Sequence, residues 1–446
     1  MRPNQRLRSI APIVIAMVGF VATSCATAPV VTVAAGVPVD GNSFVVRNVR
    51  VFDGHRAMEG VDVVVKDGRI DMVGHVTPPT DLPVIDGADF TLIPGLIEAH
   101  GHVEAQRELR DALRFGVTTE LDMLSRINFT APQKSRRTQM ERTDLADLWT
   151  AGSPVTSPRG LGTQFGIPFS TISKPDEAVA LVKGRIAEGS DYIKVMYEPG
   201  APLFTTISYE TMAAVVAAAH AQGVLVVAHI SSVEGARGAV RAGVDELAHV
   251  FSDTLVDDAF AREIAAHRTF VCATLSIFGG FQGKNFGAAL VADARLSPYL
   301  SAAQRAELVK VGPGPKHPMA PYLVRFDVDR AIENVRRLRV AGVRILAGTD
   351  AANLTSHGVS MHGEIELLTR AGLTPAEALE AATLAPAEAF HLDDRGRIAV
   401  GARADLVLVD GNPLVDITAT RAIVRIFKNG FEVSRAVPAV AAAPVK

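Results

Sequence analysis

The sequence predicts an α/β protein built mainly of a (β/α)8 TIM barrel, joined to a small β-sandwich that both ends of the chain supply. From Pro94 onward, short apolar segments alternate with helical stretches, which is typical of βα units around a parallel sheet. The predicted barrel, residues 94–388, is long enough for eight such units, which need about 250 residues. Strand-rich segments flank it at 42–93 and 389–435 and are expected to pair with each other.

The barrel segment contains eight candidate strands, of which the third is the weakest. Helical signals lie between them: apolar residues recur every three or four positions after His229, and Thr374 to Glu377 form a capping box with Pro375 at the first helical position. The eight candidate strands are 96–102, 117–124, 148–154, 191–197, 225–230, 246–250, 269–275 and 345–351.

The stretch between candidate strands seven and eight, residues 276–337, is longer than one helix requires. Insertions that follow a barrel strand flank the active site. We expect this stretch to cover a substrate, and a surface excursion is the alternative.

The amino-terminal segment has the pattern of a targeting signal. Arginines precede an apolar stretch that is too short for a confident membrane span, and small residues precede Cys25. We expect residues 1–25 to be a signal peptide of the lipoprotein type, with Cys25 lipidated and residues 26–41 as a tether. Simple cleavage and secretion is the alternative. The protein is then exported in a bacterium, periplasmic or membrane-anchored, with a flexible tail at 436–446.

Composition excludes several classes of protein. The 446 residues carry a net charge of −3 without a basic patch, so a nucleic-acid partner is not expected. Two cysteines cannot form a disulfide framework, and Cys272 lies in an apolar strand as a core residue. We expect the protein to contact a membrane only through the lipid anchor. The sequence neither requires nor excludes a homo-oligomer.

Polar residues that can ligate a metal recur at the ends of the candidate strands. Residues two apart in a strand face the same side, so the two histidines of the first strand project together. The carboxyl ends of barrel strands lie on one face, where active sites occur. We therefore predict a metal site formed by His100, His102, Lys194, His229, His249 and Asp350.

The chain resembles the amidohydrolase superfamily, and it is most similar to the imidazolonepropionase-like and metal-dependent prolidase-like branch. The motifs that carry the resemblance are LIPGLIEAHGH at 92–102, GTDA at 348–351, AGLTPAEAL at 371–379 and GARADLV at 401–407.

The resemblance implies a divalent metal centre, with two Zn2+ as the first expectation. His100, His102 and Asp350 would hold one ion and His229 with His249 the other. Lys194 would bridge them as a carbamate. The alternative is one metal, with Lys194 contacting the substrate or serving the structure.

The resemblance also implies hydrolysis of a C–N bond in a small amide or peptide-like substrate. Asp350 would act as general base toward a metal-activated water and then as general acid toward the leaving nitrogen. A mononuclear imidazolone-type hydrolase of cyclic amides and a non-catalytic metal-binding lipoprotein are the alternatives. Candidate substrate contacts are Tyr197, His357 and His362.

Overall fold

The computed structural model describes residues 32–33, 39–200, 202–284, 286–352 and 354–437. The predicted signal peptide, Cys25 and most of the predicted tether and tail lie outside these residues. Among the described residues, no helix combines the length and the apolar character needed to cross a bilayer.

Six strands precede the predicted barrel and begin the first sheet. Asp67 and Gly68 both have positive φ, 51° and 76°, as the two-residue turn between the third and fourth strands requires. The six strands are β1 Thr32–Val33, β2 Phe44–Phe52, β3 Ala57–Lys66, β4 Arg69–Gly74, β5 Val84–Asp86 and β6 Phe90–Pro94.

The next eight strands correspond to the eight predicted barrel strands, each somewhat shorter than its prediction. They are β7 Leu96–Gly101, β8 Val117–Asp122, β9 Asp147–Thr150, β10 Ile193–Met196, β11 Val226–His229, β12 Glu246–Ala248, β13 Phe270–Cys272 and β14 Ile345–Leu346.

These eight parallel strands form two sheets, β7-β8-β9 and β10-β11-β12-β13-β14, rather than one continuous closed ladder. Single parallel bridges, Val155 with Val195 and Gly101 with Ala351, join the two sheets at both junctions. The fold is therefore mixed α/β, as predicted, and the carboxyl ends of all eight strands point the same way.

Three last strands, β15 Leu406–Asp410, β16 Ile423–Lys428 and β17 Phe431–Glu432, return to the first sheet. That sheet has nine strands, and β15 pairs antiparallel with β6, so that Leu406 lies opposite Pro94. Its core includes the rings of Phe44 and Phe427, stacked 4.4 Å apart.

Helices connect the strands and bury their apolar faces against them. Hydroxyl or carboxylate N-caps begin several of them, for example Ser232 in front of α5 and Thr374 in front of α13. The helices are α1 Gln106–Arg114, α2 Ile127–Lys134, α3 Ala178–Glu188, α4 Tyr209–His220, α5 Val233–Ala242, α6 Asp258–Ala266, α7 Leu275–Phe281, α8 Phe286–Ala292, α9 Ala302–Leu308, α10 Ala320–Leu323, α11 Val328–Val340, α12 Val359–Arg370, α13 Pro375–Ala381 and α14 Leu384–Ala389.

The long stretch after β13 folds as α7 to α10, which we call the covering segment, before α11 leads to β14. Its inner side is anchored by Glu364 of α12, whose carboxylate accepts hydrogen bonds from the backbone N–H groups of Leu275 and Ser276, both 2.8 Å. This anchoring fixes the start of the segment beside the carboxyl ends of the strands.

A network of buried charges lies at the amino end of β9, and we call it the amino-end cluster. Asp147 accepts from Arg395 Nη1 at 2.6 Å and from Lys428 Nζ at 2.8 Å. Lys428 also donates to Asp405 at 2.8 Å. The cluster, completed by Asp394 and Arg403, has three acidic and three basic members, and it ties the sheet of both chain ends to β9.

Candidate metal centre

The six predicted ligands come together at the carboxyl ends of the eight strands, and we call them the carboxyl-end cluster. His100, Lys194 and His229 lie within β7, β10 and β11. His102, His249 and Asp350 follow β7, β12 and β14 by one to four residues. Adjacent βα units therefore supply one shared site from residues that are far apart in sequence.

His100, His102 and Asp350 form the tightest part of the cluster. Each offers one ligand atom, and the three atoms lie within 4.8 Å of one another. Asp350 Oδ1 lies 2.8 Å from His102 Nε2 and 3.5 Å from His100 Nε2. His100 Nδ1 is buried and has no hydrogen-bond partner among the described residues.

The other two histidines pack directly on this group. The His249 ring lies 4.5 Å from that of His100 and 4.6 Å from that of His229, measured between centroids. Thr274 Oγ1, 2.8 Å from His249 Nδ1, fixes the orientation of that imidazole. Four imidazoles in contact provide several nitrogen lone pairs within one small volume.

The backbone is strained where it presents these side chains. His249, Thr274 and Asp350 all have positive φ, 102°, 49° and 55°. Non-glycine residues rarely adopt this conformation, and those that do concentrate at functional sites. The strain therefore supports a functional interpretation that is independent of the residue types.

Lys194 is 1% exposed, and its Nζ lies 3.5 Å from His100 Nε2. No carboxylate in the described part of the chain forms an ion pair with it. Burial lowers the pKa of Lys194 to about 8, so more of the amine is uncharged at neutral pH than for a lysine in water.

Burial and the surrounding positive groups also hold the pKa values of His100 and His249 well below the usual range. Burial alone would raise the pKa of Asp350, but the hydrogen bond from His102 and the nearby cationic groups outweigh it and lower that pKa. Burial alone would lower the pKa of His102, but the hydrogen bond and charge of Asp350 outweigh it and raise that pKa. Imidazole nitrogens beside an ionised carboxylate are a donor set that binds zinc, so the residues fit a divalent cation.

A second layer of residues contacts His229, and the sequence did not identify it as part of a site. His229 Nε2 lies 2.9 Å from the hydroxyl of Tyr322 and 3.0 Å from Glu198 Oε1. Tyr322 comes from α10 of the covering segment and is 4% exposed. Only its place in the long insertion could have drawn attention to it.

No side-chain hydrogen bond or ring contact in the described ranges joins the three predicted substrate contacts to the cluster, although the Tyr197 backbone N–H donates to the His229 carbonyl and the His357 ring lies beside Gly101. The Tyr197 ring packs against Gly238 of α5, where an added Cβ would lie 2.8 Å from its hydroxyl. His357 is buried, with Nδ1 3.2 Å from Glu120. His362 Nδ1 meets Thr420 Oγ1 at 3.1 Å, and its Nε2 meets the Phe115 carbonyl at 3.0 Å. Both ring nitrogens of His362 are thus used inside the protein.

Comparison with known proteins identifies the family of this chain. The Amidohydrolase family model matches residues 91–437. An uncharacterised protein of Mycobacterium tuberculosis is 29% identical over 309 residues, which cover 67% of this chain and 74% of that protein. Ochratoxinase of Aspergillus niger is 26% identical over 274 residues, 59% of this chain and 50% of its own.

Among solved structures, a prolidase complexed with N-methylphosphonate-L-proline is similar with a TM-score of 0.69. The match covers 88% of this chain and 100% of that chain at 23% identity, so it shows the fold alone. The family model covers most of the sequence, and the resemblance predicted from the motifs is confirmed. The chain therefore belongs to the amidohydrolase family and is a hydrolase of carbon–nitrogen bonds.

Proposed function

We propose that this protein is a metal-dependent amidohydrolase that cleaves an amide or dipeptide-like bond with Asp350 as general base and general acid. The observation that carries the proposal is the contact of four histidines, one buried lysine and one carboxylate at the carboxyl ends of the strands. We also propose that the two parallel sheets together constitute a (β/α)8 barrel, which the bridges at both junctions support.

His100, His102 and Asp350 would hold one divalent cation, with His229 and His249 holding a second. A cation bound there lowers the pKa of a water molecule and polarises a carbonyl. Lys194 would bridge the two positions as a carbamate. Its burial without a carboxylate partner and its lowered pKa support this role.

Asp350 is placed to move the proton of the reaction. Its Oδ1 is held by His102, and its lowered pKa keeps it ionised, which is the form that a general base needs. The same carboxylate then donates that proton to the leaving nitrogen, so it serves both half-reactions. Tyr322 of the covering segment lies against His229, whereas the side chains of His102 and Asp350 stay 26% and 20% exposed, so water can reach the proposed base.

The test is a screen of uncharged amides, N-acyl amino acids and dipeptides, with metal analysis of the same preparation. We expect turnover and about two zinc ions per chain, falling to about one in Lys194→Ala. One metal in the wild type, unchanged by Lys194→Ala, would favour the mononuclear imidazolone-type hydrolase. Metal binding without turnover of amides or cyclic amides would favour the non-catalytic lipoprotein.

We further propose that the protein is exported and anchored through Cys25. The arginines and apolar stretch that precede Cys25 support this proposal. Fractionation of cells expressing the wild type and Cys25→Ser tests it: the wild type should sediment with membranes and the variant should not. Equal solubility of both proteins would contradict lipidation.

A further inference from the structure

Glu198 is a buried carboxylate beside the carboxyl-end cluster, and its partners are those of an anion-binding site. It is 2% exposed and follows β10 by two residues. Its Oε2 accepts from Ser231 Oγ at 2.6 Å, and its Oε1 accepts from the Tyr322 hydroxyl at 3.2 Å. Arg325 Nη1 lies 3.6 Å from Oε2. Two hydroxyls and a guanidinium thus surround this carboxylate.

The guanidinium group of Arg325 has a nitrogen without a hydrogen-bond partner among the described residues. Arg325 Nη1 is buried and makes no hydrogen bond within the described ranges, although it lies at ion-pair distance from Glu198. Guanidinium groups bind carboxylates best through two parallel hydrogen bonds, and Glu198 does not provide them here. Ser231, Tyr322 and Arg325 therefore form a set of donors suited to an anion, which we call the anion pocket, and the carboxylate of Glu198 already occupies it.

This pocket directly adjoins the carboxyl-end cluster, because one of its donors and the carboxylate that fills it contact the predicted ligand His229. His229 Nε2 contacts both Glu198 Oε1 and the Tyr322 hydroxyl, at 3.0 and 2.9 Å. A substrate that binds at the cluster and extends past His229 would meet these groups. A carboxylate on that part of the substrate would meet the like charge of Glu198, and in a buried site such repulsion is weakly screened.

We propose that Glu198 fills the anion pocket and thereby restricts the enzyme to amides that carry no carboxylate beside the scissile bond. The inference rests on the proposed function and specifies its substrate class. Uncharged amides of amines are accepted, whereas dipeptides and N-acyl amino acids are disfavoured. Glu198 also contacts His229, so the test must separate charge selection from the positioning of that histidine.

The experiment uses substrate pairs that differ only in the carboxylate, such as an Xaa-Pro dipeptide and the corresponding Xaa-pyrrolidide. The zinc-loaded wild type should show kcat/KM at least about tenfold higher for the uncharged member. Glu198→Gln, which keeps the shape and removes the charge, should shift this ratio at least about tenfold toward the carboxylate. Because this ratio compares two substrates of the same protein, a loss of activity that affects both equally leaves it unchanged.

The matched control is Glu364→Gln, a second buried carboxylate-to-amide change beside the covering segment. Glu364 accepts hydrogen bonds from the start of that segment and should leave the substrate ratio unchanged. If Glu198→Gln fails to fold, Arg325→Met gives the opposite test. Loss of the cation should lower the relative use of the carboxylate member further.

Calorimetric binding to the inactive Asp350→Asn protein separates this inference from the proposed function. If the Asp350→Asn protein binds the uncharged member more tightly but the wild type turns over neither member, the proposed function alone is overturned. Turnover of both members with a ratio that Glu198→Gln leaves unchanged would overturn this inference alone. A wild-type preference for the carboxylate member would overturn it as well.

Discussion

The two buried charge clusters differ in how completely their charges are paired. In the amino-end cluster, three carboxylates meet two guanidinium groups and one ammonium, and Lys428 bonds two of the carboxylates at 2.8 Å each. In the carboxyl-end cluster, Asp350 is the one carboxylate among four imidazoles and an amine, Glu198 contacts His229 from outside, and His100 Nδ1 has no partner among the described residues. The charges of the first cluster are paired with one another, whereas the second has a buried ring nitrogen without a partner among the described residues.

This difference separates structural from functional buried charge. Removing one member of a fully paired network such as the amino-end cluster is destabilising, because the charge left behind is unpaired in a low dielectric. An open donor set costs stability in the free protein and gains it when a cation binds. Substitutions at one end should therefore affect folding, and substitutions at the other should affect metal binding and turnover.

The largest effect is expected for Asp350→Asn. Losing the proton-transfer group should lower kcat/KM by about 10³-fold or more, whereas the midpoint of thermal unfolding should move by only a few degrees. Steady-state kinetics and thermal unfolding of the same preparation measure both quantities. Undiminished turnover would contradict the proposed role of Asp350.

The matching change at the opposite end is Asp147→Asn. It removes a carboxylate shared by Arg395 and Lys428 and should lower the free energy of unfolding by about 3–5 kcal/mol. Chemical denaturation measures this loss, and the folded fraction should keep its full metal content. The control is Asp144→Asn, a 54% exposed partner of Arg136, which should change stability by less than about 0.5 kcal/mol. Equal effects of the two variants would remove the distinction between the clusters.

Zinc should stabilise only through the carboxyl-end cluster. For chelator-treated protein, free zinc at about 100 times its dissociation constant should add about 2.7 kcal/mol to the free energy of unfolding. His100→Ala should lose most of this increment, and Asp147→Asn should retain it. Denaturation curves with and without zinc distinguish these outcomes. An increment that survives His100→Ala would place the zinc elsewhere.

The smallest effect is expected for Tyr197→Phe. The Tyr197 ring packs on α5, so removal of its hydroxyl should change KM by less than about twofold. Kinetics on the best substrate of the screen give this value. A large rise in KM would support the prediction that Tyr197 contacts the substrate and would extend the site beyond the carboxyl-end cluster.

The sequence predicted the strands and the cluster because both depend on short-range patterns. Alternating βα segments fix where each strand ends, and a histidine at a strand end is placed by that position alone. Tyr197 shows where this reasoning stops: it lies just past β10, where the alternation of strand faces no longer determines its direction.

The parts that could not be predicted depend on distant contacts. Tyr322 reaches His229 from an insertion without a repeating pattern, and Asp147 meets Lys428 from the far end of the chain. His362 occupies a helix position that composition does not distinguish from an exposed one. Its burial lowers its pKa to about 3, which is a consequence of tertiary packing.

The antiparallel pairing of β6 with β15 has a consequence for the time course of folding. These strands are about 300 residues apart in sequence, yet Leu406 lies directly opposite Pro94. Contacts of such separation require the closure of a very long loop and form slowly. During synthesis, the edge of β6 that pairs with β15 stays without that partner until nearly the whole chain has been made. The nine-stranded sheet can therefore be completed only late, once β15 to β17 have been synthesised.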